Sequence, residues 1–493
     1  MNLLIIQKKV FIKRDDIYNN NSNYPTSKIS SKRMSFRGYE LISIEVSPFE
    51  YNPTTQVLKV YNNPEIIINE TGVRSTENQA PRSRIFEEMY KNSVINSDDY
   101  QDSRNFQKPS ILYICGGSLS TSPYLEELTE WRHKQGYVVN AVSTSETGTS
   151  TSSIKNYIEN AYNNWENPPE HVCLIGDANG SIYVSTYTVY GGSGWSTASG
   201  EGDFPYSLLE GNDLLPEVLL GRISIRSTAE LITAINKIIG YEKNYANDTD
   251  WLNAMALVGD PYDSGISTVI TNEYINSVFD IHGGIDDVRT LYGESTNSWD
   301  NWMRDQFDDG VGYFNYRGIY GFSGFSENDI NNLENGYKLP FVTTLTCDTG
   351  SFYTQNASII EALFRAGTAA NPRGAVAMIG PSDLDTDTRF NNVMCAVMWD
   401  ELLEGRIPEL APALHAGKQA LIKEFDDLTV GTTNIVEFYH HIYAVLGDPS
   451  LPVWLGEPRN MIADVEANPT LSSSYVSTVI KDEASDEYLI NVV

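Results

Sequence analysis

The chain has little of what would classify it at a glance. Its 493 residues include only four cysteines, Cys115, Cys173, Cys347 and Cys395, none paired as CxxC, which excludes a zinc ribbon and a dense disulfide framework. No apolar run approaches the roughly 20 residues that span a bilayer, so no membrane-spanning helix is expected. Bases are scarce, with 34 Lys and Arg against 65 Asp and Glu and a formal net charge of −31. A phosphate backbone would be repelled over most of such a surface, which argues against nucleic acid as a partner and favours divalent cations as companions. Histidine is also sparse, with six in all. Residues 1–6 are apolar but run directly into Gln7, Lys8 and Lys9, with neither a long apolar core nor a small-residue cleavage site. No signal peptide is visible, and an incomplete chain is expected.

What is present suits a folded protein of several domains. A hydrophobic fraction of 41 % and only 20 % charged residues argue against extensive disorder. Residues 1–80 contain alternating apolar and polar positions, as in Leu41 to Ser47, and form a β-rich segment. Residues 81–107 turn polar and read as a linker. Short apolar runs then alternate with longer amphipathic ones, the signature of parallel sheets covered by helices. Strands are expected at 111–115, 137–142, 171–175 and 218–221, then at 254–258, 288–291, 312–316, 341–345 and 375–379. Helices are expected at 229–245, 359–365 and 409–425. The pattern divides into two doubly wound α/β subdomains, 108–247 and 248–460, with residues 445–453 as a turn feeding an edge strand. A further β module begins at 461–493.

In open parallel sheets ligands bind outside the carboxyl ends of strands, so residues at strand exits come first. Cys347 ends the run 339–346 and is followed by Asp348, Thr349 and Gly350. It is a candidate thiol nucleophile, or else an inert strand-end thiol. Asp260, after Leu257, Val258 and Gly259, either orients a catalytic base or starts a turn at Pro261. Asp177, after Ile175 and Gly176, is a turn residue or a calcium ligand. Asp383 and Asp385 follow strand 375–379. Of the histidines, His133, His171, His282, His415 and the pair His440 and His441 all suit core packing or exposure, and none stands at metal-ligand spacing.

Several stretches taken together carry a resemblance. They are Val172–Asp177, Gly202–Tyr206 with Leu209–Asp213, Leu220–Ile223 leading to Lys237–Glu242, Asn315–Gly318, the Cys347 loop, and Leu446–Ser450. In order and spacing they resemble the gingipain family of cysteine peptidases, which have a caspase-like fold. Residues 43–60 look like the end of that family's propeptide, and the tail beyond 463 like the start of its immunoglobulin-like domain. The resemblance implies peptide-bond hydrolysis by a Cys–His pair with a carboxylate orienting the imidazole. It also implies a protein or peptide substrate, no required cofactor, calcium as a structural ion, and an extracellular or cell-surface location. The nucleophile carries over to Cys347, the orienting carboxylate to Asp260, and the oxyanion donors to the backbone N–H groups of Gly318 and Cys347.

The histidine does not carry over. Where the family reads Asn-Tyr-X-Gly-His-Gly, this chain has Asn315, Tyr316, Arg317, Gly318, Ile319, Tyr320, Gly321, so Ile319 or Tyr320 takes the place, depending on a one-residue gap. Isoleucine has no polar atom, and a phenol near pH 7 is a protonated donor. Arg317 would favour a thiolate but cannot shuttle a proton. Asp383 and Asp385 are candidates for a substrate-pocket wall. Two functions are therefore expected as alternatives: a cysteine endopeptidase acting through Cys347 without the usual base, or an inactive pseudopeptidase that serves as a binding module. Oligomeric state is not readable from the sequence.

Overall fold

The computed structural model describes residues 15–68, 80–97, 104–190, 199–282, 284–293, 299–354, 356–404, 407–425, 428–430, 432–458, 460–465 and 478–488. The chain divides into two units, residues 1–80 with 210–217, and residues 81–209 with 218–493. The first unit holds two antiparallel hairpins, β1 (Ile29–Phe36) with β2 (Tyr39–Val46) and β3 (Phe49–Asn52) with β4 (Val57–Val60). Loop 210–217 is tied to the first hairpin's turn: Ser35 N–H donates to Asp213 at 2.9 Å and Gly38 N–H to Glu210 at 3.0 Å. The β-rich reading of this segment therefore holds, with a distant loop added to it.

The second unit is built on one ten-stranded sheet. In chain order its strands are β5 (Ser110–Cys115), β6 (Val138–Ser143), β7 (His171–Ile175), β8 (Leu219–Ile223), β9 (Ala254–Gly259), β10 (Asp287–Tyr292), β11 (Tyr313–Arg317), β12 (Phe341–Thr344), β13 (Ala377–Pro381) and β14 (Tyr443–Leu446). Their spatial order is β10-β9-β11-β12-β13-β14-β8-β7-β5-β6. Neighbours are parallel except β13 and β14, which pair antiparallel through Met378 and Leu446. Two five-stranded parallel halves thus run in opposite directions within one continuous sheet. The central strands carry unbroken apolar runs because helices cover both faces, and every residue of β5, β7, β9 and β11 is buried.

Covering helices include α1 (Arg84–Ser93), α2 (Pro123–Lys134), α3 (Thr151–Asn164), α4 (Thr228–Glu242), α5 (Ser267–His282), α6 (Trp299–Asp309), α7 (Ile359–Arg365), α8 (Thr388–Glu404), α9 (Leu410–Phe425) and α10 (Ile435–Ile442). Ser227 and Ser358 cap α4 and α7 through their side chains, satisfying N–H groups that have no partner within the helix. Among the described residues, no helix is long and apolar enough to cross a membrane.

Two expectations are corrected and a third is not confirmed. Residues 81–107 are not only linker, because α1 lies there and buries Phe86, Met89 and Tyr90. The segment around 445 is not at an edge: Tyr443–Leu446 is the central strand that joins the two halves, and its short length concealed it. Beyond 461 the described residues form one hairpin, Met461–Val465 with Thr478–Asp482, which is not by itself an immunoglobulin-like module.

Several motifs that carried the resemblance hold the fold together. Asp448 is fully buried, accepts from Tyr113 hydroxyl at 2.8 Å and Ser450 hydroxyl at 2.6 Å, and pairs with Arg132 at 3.1 Å. Arg132 in turn meets Glu242 at 2.7 Å, so one network links β5, α2, α4 and the turn after β14. Arg222 binds Asp203 through two nitrogens, at 2.7 and 2.8 Å, and donates to the Gly176 carbonyl at 2.9 Å. Buried charges require such complete pairing.

Candidate active site

The carboxyl ends of β9, β11, β12 and β13 lie side by side, and a cleft of about 290 Å³ opens there. It is lined by Asp263 and Ser264 after β9, Gly318 and Ile319 after β11, Cys347 after β12, and Asp385, Thr386, Asp387, Thr388 and Asn391 after β13. Cys115, Cys173 and Cys395 are buried free thiols, whereas Cys347 is half-buried and faces this cleft.

The Cys347 loop is held tightly. Asp348 takes a left-handed backbone (φ 55°), a conformation aspartate tolerates better than most residues, and its N–H donates to the Asp383 carbonyl at 2.9 Å. Thr349 hydroxyl donates to the carbonyls of Thr346 (2.9 Å) and Thr344 (3.1 Å), and Gly350 N–H reaches the Pro381 carbonyl at 2.7 Å. A β-carbon on Gly350 would stand 2.7 Å from the Gly380 carbonyl oxygen, so glycine is needed for the loop to lie this close to β13. Burial, with neighbouring Asp383 adding to it, pushes the Asp348 carboxyl up to about 6.

The Cys347 sulfur has Thr386 as its hydrogen-bonding neighbour, with the hydroxyl oxygen at 3.2 Å and the carbonyl oxygen at 3.5 Å. Thr386 hydroxyl accepts from the Asn391 amide at 3.0 Å, and Asn391 accepts from Tyr443 hydroxyl at 2.5 Å. None of the six histidines lines the cleft or hydrogen-bonds to the sulfur. His282 ends α5, and His440 Nδ1 meets the Val436 carbonyl of its own helix at 2.8 Å while its ring packs on Phe204. Burial holds His440 and His441 well below the usual imidazole range.

The positions left open in the sequence are now distinct. Ile319 is half-exposed and lines the cleft, whereas Tyr320 pairs with Cys347 through the backbone as an isolated parallel bridge. Gly318 also lines the cleft, and a β-carbon there would stand 2.7 Å from the Tyr316 hydroxyl. Arg317 is fully buried, with Nη2 donating to the Asn392 side-chain Oδ1 at 2.5 Å and with Nε and Nη1 meeting no acceptor among the described residues.

Asp260 lies next to the site, but its carboxylate is already engaged. It accepts from the Ser323 hydroxyl and from Tyr262 N–H at 2.9 Å, and Ser323 N–H in turn donates to the Tyr316 hydroxyl at 2.9 Å. A serine thus occupies the carboxylate that would orient an imidazole. Asp385 lines the cleft, while Asp383 is buried behind it and accepts from Asp385 N–H at 2.7 Å. Asp177 does not fit a calcium ligand: it is fully buried, and Oδ2 meets both Arg226 and Arg365, the latter at 3.3 Å. Two guanidinium groups leave no room for a further cation. Sequence reasoning missed Thr386, Asn391, Asp263 and Ser323, which come from the segments after three different strands, Asn391 from the first turn of α8. Only the acidic run after β13 pointed towards the first.

A thiol at a strand exit, above a mainly parallel sheet with helices on both faces, is the architecture of a caspase-like cysteine peptidase. Residues 104–454 match the family model for peptidase family C25, and residues 5–104 match the family model for the C25 propeptide. The chain belongs to peptidase family C25, the gingipain type. Among curated relatives, Gingipain R2 of Porphyromonas gingivalis is 24 % identical over 461 residues, covering 87 % of this chain and 58 % of that protein. Gingipain R1 of the same organism is 23 % identical over 380 residues, covering 71 % of this chain and 36 % of that protein. The chain therefore spans between about a third and three fifths of these two relatives. The crystal structure of the Arg-specific cysteine proteinase gingipain R superimposes with a TM-score of 0.65 at 22 % identity, covering 77 % of this chain and 86 % of that one. That likeness establishes the fold.

Proposed function

We propose that this chain is a gingipain-type cysteine peptidase whose nucleophile is Cys347 and whose reaction runs without an imidazole base. The reading rests on one observation: Cys347 faces the cleft at the strand exit, yet among the described residues its sulfur hydrogen-bonds only with Thr386. The thiol attacks the scissile carbonyl as its proton passes to water, and the N–H groups at Gly318 and Cys347 receive the oxyanion. The C–N bond breaks with water supplying the proton to the leaving amine, and a second water hydrolyses the thioester to free Cys347. A threonine hydroxyl is far too weak a base to take the thiol proton, and no side chain among the described residues lining the cleft is an imidazole that could return one to the leaving amine. General acid–base catalysis contributes about 10²–10⁴ in rate, and turnover falls short by that factor.

The substrate is a protein or peptide segment carrying a basic side chain, because Asp263, Asp385 and Asp387 all line the cleft and a cation is favoured among three carboxylates. Kinship with the gingipains adds an extracellular or cell-surface location. A second reading, a silent peptide-binding module, is favoured by the Ser323 hydroxyl on Asp260, which fills the orienting carboxylate with a structural bond.

A fluorogenic peptide library combined with a thiol-directed peptide probe separates the two. Slow hydrolysis of basic peptides that disappears in Cys347→Ala supports the peptidase and sinks the silent module. No turnover and no labelling of Cys347, with basic peptides still bound, sinks the peptidase.

A further inference from the structure

Helices α5 and α8 pack against each other and run in the same sense, both beginning at the cleft end of the sheet. Thr268, in the first turn of α5, bonds the Asp260 carbonyl at 3.0 Å, and Thr388 and Asn391 of α8 line the cleft. Sixteen residues of helix amount to about 24 Å, so the last turns lie at the far side of the sheet from the thiol. There His282 closes α5, and Asp400 and Glu404 stand one turn apart on one face of α8. One imidazole nitrogen and one oxygen from each carboxylate lie within 4.8 Å of one another.

Among the described residues neither Asp400 nor Glu404 forms an ion pair, and Asp400 Oδ1 accepts from the Tyr274 hydroxyl at 3.5 Å. A third acid adjoins them on α8: Glu401 accepts from the Asn92 side-chain amide at 2.7 Å. The carboxyl ends of two helices add their own negative potential. His282 and Asp400 are half-buried and Glu404 is exposed, so the donors stand on rigid helices with one long side chain free to close over an ion.

We propose that His282, Asp400 and Glu404 form a divalent-metal site of the zinc type, which pins the far ends of the two helices that frame the cleft. The donor set selects the metal. Calcium needs six to eight oxygens and magnesium keeps oxygen and water around it, whereas zinc takes one imidazole and two carboxylates at about 2.0–2.2 Å with a water as fourth ligand. Tetrahedral binding at that radius puts donors about 3.4 Å apart, so from a spread of 4.8 Å or less closure requires side-chain adjustments of about 1.4 Å at most. The site is separate from peptide hydrolysis and stands whether or not Cys347 turns over.

The test uses the full chain carrying Cys347→Ala, so that the cleft thiol cannot hold the ion. Zinc ion at about 100 times its dissociation constant should raise Tm by roughly 3–5 °C, and calcium should not reproduce the shift. Adding Glu404→Gln, an exposed change that the fold tolerates, or His282→Ala should weaken zinc binding at least about tenfold in calorimetry while leaving the Tm in chelator unchanged. Cobalt(II) should give a tetrahedral visible spectrum that both variants lose. Absence of zinc stabilisation, or stabilisation undiminished in both variants, overturns the proposal.

Discussion

Replacing Ile319 by histidine should raise peptide hydrolysis on the proposed reading, because it puts an imidazole beside the thiol in a cleft that no histidine lines. Ile319 lines the cleft beside Cys347 and is 45 % exposed, so a ring of similar size fits and loses little burial. The stability cost should be about 1 kcal/mol or less. A positioned acid–base group contributes about 10²–10⁴ in rate, but the upper part of that range needs the ring held in one tautomer by a carboxylate. Asp260 is engaged by Ser323 and Tyr262, so Ile319→His alone should gain about 10² in kcat/KM, the low end of the range. Adding Ser323→Ala releases one carboxylate oxygen and should give roughly another tenfold. The assay is steady-state hydrolysis of a fluorogenic arginyl peptide from pH 5 to 9, with Cys347→Ala as blank. An imidazole in use should also give the profile a limb near pH 6–7 that the parent lacks. If Ile319→His folds, and its kcat/KM stays within about twofold of a parent whose turnover depends on Cys347, the reasoning is wrong and a base already acts from elsewhere.

Three further outcomes follow from the buried charges. Asp448→Ala should cost about 3–5 kcal/mol in denaturant unfolding, because it strands the fully buried Arg132 and removes the acceptor of Tyr113; a loss under 1 kcal/mol would contradict the network's role. Arg317→Met should stabilise the chain by about 1–3 kcal/mol, since two of the guanidinium's donor nitrogens are buried without an acceptor; marked destabilisation would show that an unseen partner exists. Asp348 has a folded value of about 6, above its ordinary 3.8, so the folded chain keeps a proton between about pH 4 and 6 that the unfolded chain has lost. Its contribution to stability falls as pH rises through that window. Asp348→Asn should therefore be more stable than the parent above pH 6, by about 1 kcal/mol once solvent screening of the half-exposed carboxyl is allowed for. The two should converge at pH 4, and a constant difference across pH would sink the assignment.

Much of the sheet was legible because its strands are buried on both faces and read as unbroken apolar runs, as in Ser110–Cys115 and Ala254–Gly259. Tyr443–Leu446 was not, since four residues between a helix and the Asp448 turn resemble a connection. Its antiparallel pairing with Ala377–Pro381 is a tertiary choice that no local pattern encodes. The thiol was legible from its place after β12, but its environment was not. Thr386 reaches it from 39 residues away, and Ser323 reaches Asp260 from 63 residues away. Loop 210–217 joins the β-rich first unit although it lies between motifs of the second. Motifs that point to a family need not be chemical: Asp203, Arg222 and Asp448 are interior ion pairs.

The central claim, a family C25 cleft with its thiol in place and its base absent, is tested most directly by one number. That number is the kcat/KM of the unmodified chain for the best basic peptide of a fluorogenic library, with Cys347→Ala as the blank. Ordinary enzymes fall at about 10⁴–10⁸ M⁻¹s⁻¹, and losing the roughly 10²–10⁴ of acid–base catalysis takes a mid-range enzyme of about 10⁶ M⁻¹s⁻¹ to about 10²–10⁴ M⁻¹s⁻¹. A value of about 10⁶ M⁻¹s⁻¹ or more that vanishes in Cys347→Ala would contradict the account.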